Sequence, residues 1–196
     1  MYNRKDSFYK KAKLEGYRSR ASYKLLELNQ KYKLFRKNDA VLDVGAAPGG
    51  WSQVALQLLG EKGIVVAVDI LDINPLNDKR FHFIKGDIRD ENTLSEITKY
   101  ASSFDIVISD IAPNTTGQKF VDHQNSINLI KTVMNFIMKT LKKNGIFLFK
   151  LFDGEERESL VKDLKELFED IKIIRPDATR KNSFEIYIIC KGYKLG

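Results

Sequence analysis

A glycine-rich turn and three spaced carboxylates carry the first chemical signal in the sequence. The segment VLDVGAAPGGWSQVA places Gly45, Gly49 and Gly50 directly after an apolar run. Glycines there let the chain turn tightly and bring backbone N–H groups close to a ligand. The pattern Gly45-x-Ala47-x-x-Gly50 is a degraded form of the dinucleotide fingerprint. Two details point away from a dinucleotide. Pro48 removes an N–H donor from a loop that would cradle a pyrophosphate. Asp69, Asp87 and Asp110 stand at the ends of three successive apolar runs. One acidic residue after the second run suits a ribose diol. Asp87 and Asp110 would then lie against the negative charge of a pyrophosphate. They suit a ligand with a sulfonium and an ammonium group, and S-adenosylmethionine is such a ligand. Taken singly, each aspartate also fits a strand-end turn or a helix cap.

These residues need strands to carry them. Apolar runs occur at 40–44, 64–69, 81–84, 105–109, 146–151, 171–174 and 185–190. Candidate helices lie near 50–60, 91–100, 122–142 and 155–169, and an earlier one over 17–31 has Ser19 or Ser22 as its cap. Strands that are apolar on both faces and alternate with helices predict a parallel sheet covered on both sides. The ligand of such a doubly wound α/β fold sits at the carboxyl ends of the strands. Residues 175–184 are too few for a helical crossover, so the last strand is expected to be antiparallel.

The chain has 196 residues, with 33 Lys+Arg against 26 Asp+Glu and a net charge of +7. Residues 1–40 hold twelve basic and four acidic side chains, so the remainder is close to neutral. A concentrated basic patch suits a polyanion, above all nucleic acid, although a solvated lysine-rich surface gives the same composition. Tyr9, Tyr17, Tyr23 and Tyr32 lie among these charges, where packing is expected of most of them. A lone Cys190 excludes an internal disulfide and a CxxC zinc site. His82 and His123 lie too far apart in sequence to suggest a histidine-rich metal site. No metal is therefore expected. No apolar run approaches the ~18 residues that span a bilayer, and no signal-peptide pattern opens the sequence.

The motifs LDVGAAPGGWSQ (42–53), GDIRD (86–90), SDIAPNTTG (109–117) and FKLFDG (149–154) resemble the RrmJ/FtsJ family of ribose 2′-O-methyltransferases. The likeness runs from GYRSRASYKL (16–25) to SFEIYIICKG (183–192). It implies a single domain over 1–196 with a Rossmann-like class I methyltransferase fold. That fold is a seven-stranded, mostly parallel sheet with an antiparallel last strand and helices on both faces, here preceded by a basic helical extension over about 1–38. It also implies S-adenosylmethionine-dependent methylation of an RNA ribose. The resemblance assigns Lys24, Asp110, Lys150 and Glu185 as the catalytic set. Cofactor contacts carry over to Gly49, Trp51, Asp69, Asp87 and Asp110, with Ala46, Ala47, Pro48 and Gly50 shaping the loop. Gly45, Ile70 and Ile88 complete the expected cofactor set. Any targeting segment would lie upstream of Met1.

Lys150 interrupts the apolar run IFLFKLF, where a lysine is costly without a purpose. As a base it must be neutral. Burial and Lys24 favour that form, whereas Asp110 and Glu185 favour the charged one. Two versions stay open: proton acceptor, or charged group that orients the hydroxyl and stabilises the alkoxide. Lys10, Lys11, Lys13, Arg18, Arg20 and Asn114 are candidate RNA contacts, with Arg4, Lys5, Arg180 and Lys181 on the same expected face. The leading reading is methylation of a uridine in large-subunit ribosomal RNA, within a ribosomal particle, by a monomer. A tRNA-specific relative, a non-enzymatic RNA-binding assembly factor and an NAD-dependent oxidoreductase are the alternatives. The filled catalytic set argues against the second, and Pro48 with the carboxylate triplet against the third. The cytoplasm is expected for a bacterial source, a mitochondrion or other organelle for a eukaryotic one.

Overall fold

Seven strands form one sheet in the order β3-β2-β1-β4-β5-β7-β6 in the computed structural model, which describes residues 7–180 and 182–195 and side chains from residue 10 onward. Arg4, Lys5, Lys181 and the Tyr9 side chain, named above, lie outside the described residues. The strands are β1 Ala40–Val44, β2 Ile64–Asp69, β3 Phe81–Lys85, β4 Phe104–Ser109, β5 Leu141–Phe152, β6 Phe168–Ile174 and β7 Glu185–Tyr193. The helices are α1 Ser7–Leu14, α2 Ala21–Tyr32, α3 Gly50–Leu58, α4 Glu91–Thr98, α5 Lys119–Ile137 and α6 Arg157–Leu167. Pairing from β3 to β5 is parallel, and β7 runs antiparallel to both β5 and β6.

The two-residue alternation of each strand divides the core. Leu42, Val44, Val66, Val68, Phe147 and Phe149 pack with α4, α5 and α6 on one face. Val41, Val65, Leu148, Tyr187 and Ile189 pack with α2 and α3 on the other. Leu25 and Leu28 of α2 are fully buried there, so α2 belongs to the packed face. The chain moves one way from β1 to β2 and β3, and the other way from β4 onward. Their carboxyl ends diverge at this switch, and that opens a crevice.

Several element boundaries differ from the sequence expectation; β5, for example, begins at Leu141 where the apolar run begins at 146. The apolar periodicity did not single out α1, an eight-residue helix within the helical extension expected over about 1–38, whose apolar contact is Ala12 against Tyr23. The expected 122–142 helix begins earlier, at Lys119, and ends at Ile137. Lys139 and Thr140 then bond three residues back, which tightens the chain into a turn before β5. At α2, neither serine caps the helix. Arg20 holds the cap position, and the Ser22 hydroxyl donates to Gly50 O at 3.1 Å instead. Burial against α3 took Ser22 away from the helix end.

Candidate active site

The sheet places all four expected catalytic side chains at its carboxyl edge, on the face covered by α2 and α3. Asp110 follows the last residue of β4. Lys150 lies near the end of β5, 6% exposed, and Glu185 begins β7. Lys24 reaches in from α2 and is equally buried. Lys24 Nζ lies 2.5 Å from Glu185 Oε2. Lys150 Nζ donates to Asp110 O at 2.6 Å and lies 3.2 Å from Asp110 Oδ1. Burial pushes the Glu185 carboxyl up. The charges of Lys24, Lys150 and Arg20 and the Lys24 hydrogen bond outweigh it and leave Glu185 below the ordinary carboxylate range.

A fifth side chain joins the two ion pairs. The Tyr187 hydroxyl accepts from Lys24 Nζ at 2.9 Å and donates to Asp110 Oδ1 at 3.0 Å. Its ring is fully buried beside Trp51. Burial first, then the Asp110 and Glu185 charges, raise the Tyr187 phenol far above its usual value, so it remains a neutral donor. A tyrosine within EIYIIC reads as core, and its hydroxyl role had no sequence signal beyond the spacing of two from Glu185.

A cleft of about 800 Å³ opens beside this cluster, at the ends of β1 to β4. Gly45, Ala47, Asp69, Ile70, Asp87, Ile88 and Asp110 line it, together with Asn114. Asp110 is therefore shared by the cleft and the lysine cluster. Asp69 accepts the Ala47 and Leu71 N–H groups at 2.8 Å each, which fixes the glycine-rich loop to the end of β2. Asp87 is clasped by Arg89, whose side-chain and backbone hydrogen bonds hold the carboxyl below its ordinary range against burial. Gly45 has φ +74°, and a Cβ there would stand 2.7 Å from Ile111 Cβ. The loop thus approaches the 111 segment as only glycine allows. Asn125, Asn128, Leu129 and Thr132 of α5 form a further wall that the motifs did not indicate.

Other expected cofactor residues do not line the cleft. Ala46, Pro48, Gly49 and Gly50 shape the turn behind it. Gly50 admits the turn into α2 and its first residues, because a Cβ there would meet Ser19 Oγ at 2.3 Å and Ser22 Oγ at 3.0 Å. Trp51 is a core residue whose indole N–H donates to Ala21 O at 2.9 Å. Its side chain locks α3 onto α2.

The basic segment divides by role. Lys10 and Lys13 are exposed on α1, and Lys11 is exposed beside Glu15 and over the Tyr23 ring. Arg18 has an anchoring role that its place in a basic segment did not indicate. Its guanidinium donates to the carbonyls of Pro48, Asn74 and Pro75, the last at 2.8 Å. A group anchored to three carbonyls ties the N-terminal segment to the cleft loops. Arg20 donates to Ala178 O at 2.6 Å and adds positive charge near Glu185. Glu27 accepts the Asp177 and Ala178 N–H groups, so α2 also holds the 175–184 connection that delivers Glu185. Asn114 is exposed on a loop pinned by Asp122, which accepts from Thr116 and Gly117.

The sequence matches the FtsJ-like methyltransferase family over residues 17–193, which takes in every element that builds this site except α1. The chain belongs to that family. It is 44% identical over 192 residues to the ribosomal RNA large subunit methyltransferase E of Methanothermobacter thermautotrophicus, across 97% of this chain and 91% of the relative. To the same-named protein of Archaeoglobus fulgidus it is 45% identical over 194 residues, across 99% of each. Among solved structures it is similar to a Plasmodium falciparum protein described as a ribosomal RNA methyltransferase. That likeness has a TM-score of 0.79 at 31% identity and covers 92% of this chain and all of the other. The Rossmann-like methyltransferase architecture expected from the motifs is the architecture found, and the chain is a methyltransferase.

Proposed function

We propose that this methyltransferase moves a methyl group from S-adenosylmethionine to a ribose 2′-hydroxyl of large-subunit ribosomal RNA. The observation that carries the reading is the array of two ion pairs, the buried Lys24 with Glu185 and the buried Lys150 with Asp110, bridged by Tyr187 and sharing Asp110 with the cleft. The names of the relatives supply the RNA class. The cleft fits the donor chemically. A cationic ligand suits an edge formed by Asp69, Asp87 and Asp110, and the close approach at Gly45 suits backbone contact. When bound, S-adenosylmethionine supplies an electrophilic methyl on a sulfonium.

The protein's own residues then have separable tasks. Lys150 has two contacts, both to Asp110, which leave one direction on Nζ for an incoming hydroxyl. A neutral amine offers a lone pair there and takes the proton. An ammonium offers its third N–H and steadies the oxygen as charge develops. Asp110 holds that nitrogen at the mouth of the cleft. Lys24 and Glu185 neutralise each other and flank the acceptor position. The exposed Lys10, Lys11 and Lys13 supply phosphate contacts without sequence choice. We assign the chain to a monomer acting on a ribosomal particle.

The test is transfer from labelled S-adenosylmethionine to assembled large subunits, deproteinised ribosomal RNA and total tRNA. Label in the large-subunit material supports the assignment. Label confined to tRNA moves the chain to the tRNA-specific reading.

A further inference from the structure

Phe152 ends β5 at a point where the strand has lost one neighbour. β4 stops at Ser109, which pairs with Phe149, so β5 overhangs it by three residues. On the other side the ladder continues. Phe152 lies opposite Glu185, and the next residue, Asp153, donates to Phe184 O at 2.8 Å. Strand alternation turns the Phe152 N–H and C=O away from β7, toward where a β4 residue would stand. Two side chains of α5 occupy that position. Ser126 Oγ accepts the Phe152 N–H at 3.2 Å, and His123 Nδ1 lies 2.6 Å from Phe152 O.

These partners also define the imidazole. A ring nitrogen so close to a carbonyl oxygen carries the hydrogen, so Nδ1 donates. Nε2, 3.1 Å from the Glu156 N–H at the start of α6, accepts. His123 is 2% exposed and is held as the neutral Nδ1–H tautomer. The FDG turn is shaped to the ring: a Cβ on Gly154 would stand 2.4 Å from His123 Cγ. One buried ring therefore fixes Phe152, two residues beyond Lys150 and directly across from Glu185.

We propose that His123, with Ser126, is a positioning residue for methyl transfer. It takes the place of the missing strand neighbour and sets where Lys150 Nζ and the Glu185 carboxylate stand. The inference rests on the proposed roles of Lys150 and Glu185. It concerns geometry alone, since His123 touches neither cleft nor cluster.

Three substitutions in the full chain separate the two bonds from simple packing. His123→Asn keeps an N–H where Nδ1–H stood. His123→Gln keeps an acceptor toward Glu156 only. His123→Phe keeps the ring volume and neither bond. The expected result is a kcat within about threefold of wild type for His123→Asn and a fall of at least about tenfold for the other two, the scale of a displaced reacting group. The KM for RNA and the Kd for S-adenosylmethionine stay level in all three. Equal loss in His123→Asn and His123→Phe, or a kcat that simply follows Tm, overturns the proposal. Nitrogen-15 spectra of the wild-type imidazole test it without any variant: hydrogen on Nδ1 supports it, and hydrogen on Nε2 contradicts it. Lys150→Ala, run in parallel, separates the two levels. Full activity in Lys150→Ala defeats the site assignment itself, whereas loss there with full kcat in His123→Phe defeats only the positioning role.

Discussion

The site has two ends, the cleft and the charged cluster beside it, built on different principles. At the β1–β3 end the shape comes from backbone: a left-handed Gly45, and Asp69 already bonded to two loop N–H groups. At the β4–β5–β7 end it comes from charged side chains, the buried Lys24 and Lys150 paired with the half-buried Glu185 and Asp110 and joined through Tyr187. A binding loop made of backbone tolerates side-chain change wherever space allows. An ion array in a low-dielectric site does not, because the loss of one member leaves another buried without its partner. The two ends should therefore fail in different ways.

The largest effect is expected at the side-chain end. Lys150→Ala removes the one group aimed from Asp110 toward an acceptor and should lower kcat on the order of 10³-fold, with donor binding retained. Calorimetry beside single-turnover transfer checks both parts. At the backbone end, Gly45→Ala adds a Cβ that meets Ile111 on a left-handed residue. Strain of about 1–2 kcal/mol predicts a donor Kd raised about tenfold, with the kcat at saturation changed far less. A matching loss of kcat would erase the distinction between the ends. Tyr187→Phe deletes a bridge but leaves both ion pairs in contact. The loss of a net ~0.5–1.5 kcal/mol per hydrogen bond corresponds to a fall in kcat of about threefold to tenfold.

The smallest effect on activity, and a distinct one on stability, belongs to Asp43. This β1 carboxyl is fully buried, accepts from Ser52 at 2.6 Å, and leaves Oδ1 without a hydrogen-bond partner. Burial, then the nearby Asp110 and Asp69 charges, push its pKa up to about 7. The folded protein thus keeps a proton that the unfolded chain releases near pH 4. Stability attributable to Asp43 falls as pH rises from about 4 to about 7 and is level above that. Glu185, held below its ordinary value, acts in the opposite sense and at lower pH. Urea melts across this range should show the decline in wild type and its absence in Asp43→Asn. An unchanged slope in that variant would assign the decline elsewhere.

The architecture was legible because it rests on local signals, alternating apolar runs and a short final connection. Asp110 at a strand end and Lys150 within an apolar run also stood out locally, whereas Lys24 and Glu185 were singled out only by the family resemblance. The rest depends on partners distant in sequence. Arg18 sits in a basic segment and reads as a phosphate contact, yet its carbonyl partners lie 30, 56 and 57 residues away. Tyr187 has the spacing of a core residue, and its hydroxyl matters only because Lys24 and Asp110 converge on it. Trp51 stands in a cofactor motif but is recruited to the core by α2. His123, set aside as a metal ligand because His82 lies far from it in sequence, proves to be a bonding partner of the β5 terminus.

The acceptor atom is the central claim, and mapping the methyl group on large-subunit RNA tests it most directly. After transfer by the wild-type protein, alkaline hydrolysis should leave one linkage uncut at the labelled nucleotide, and the same site should be unlabelled with Lys150→Ala. Label recovered on a base, with every ribose linkage cleaved, would contradict it.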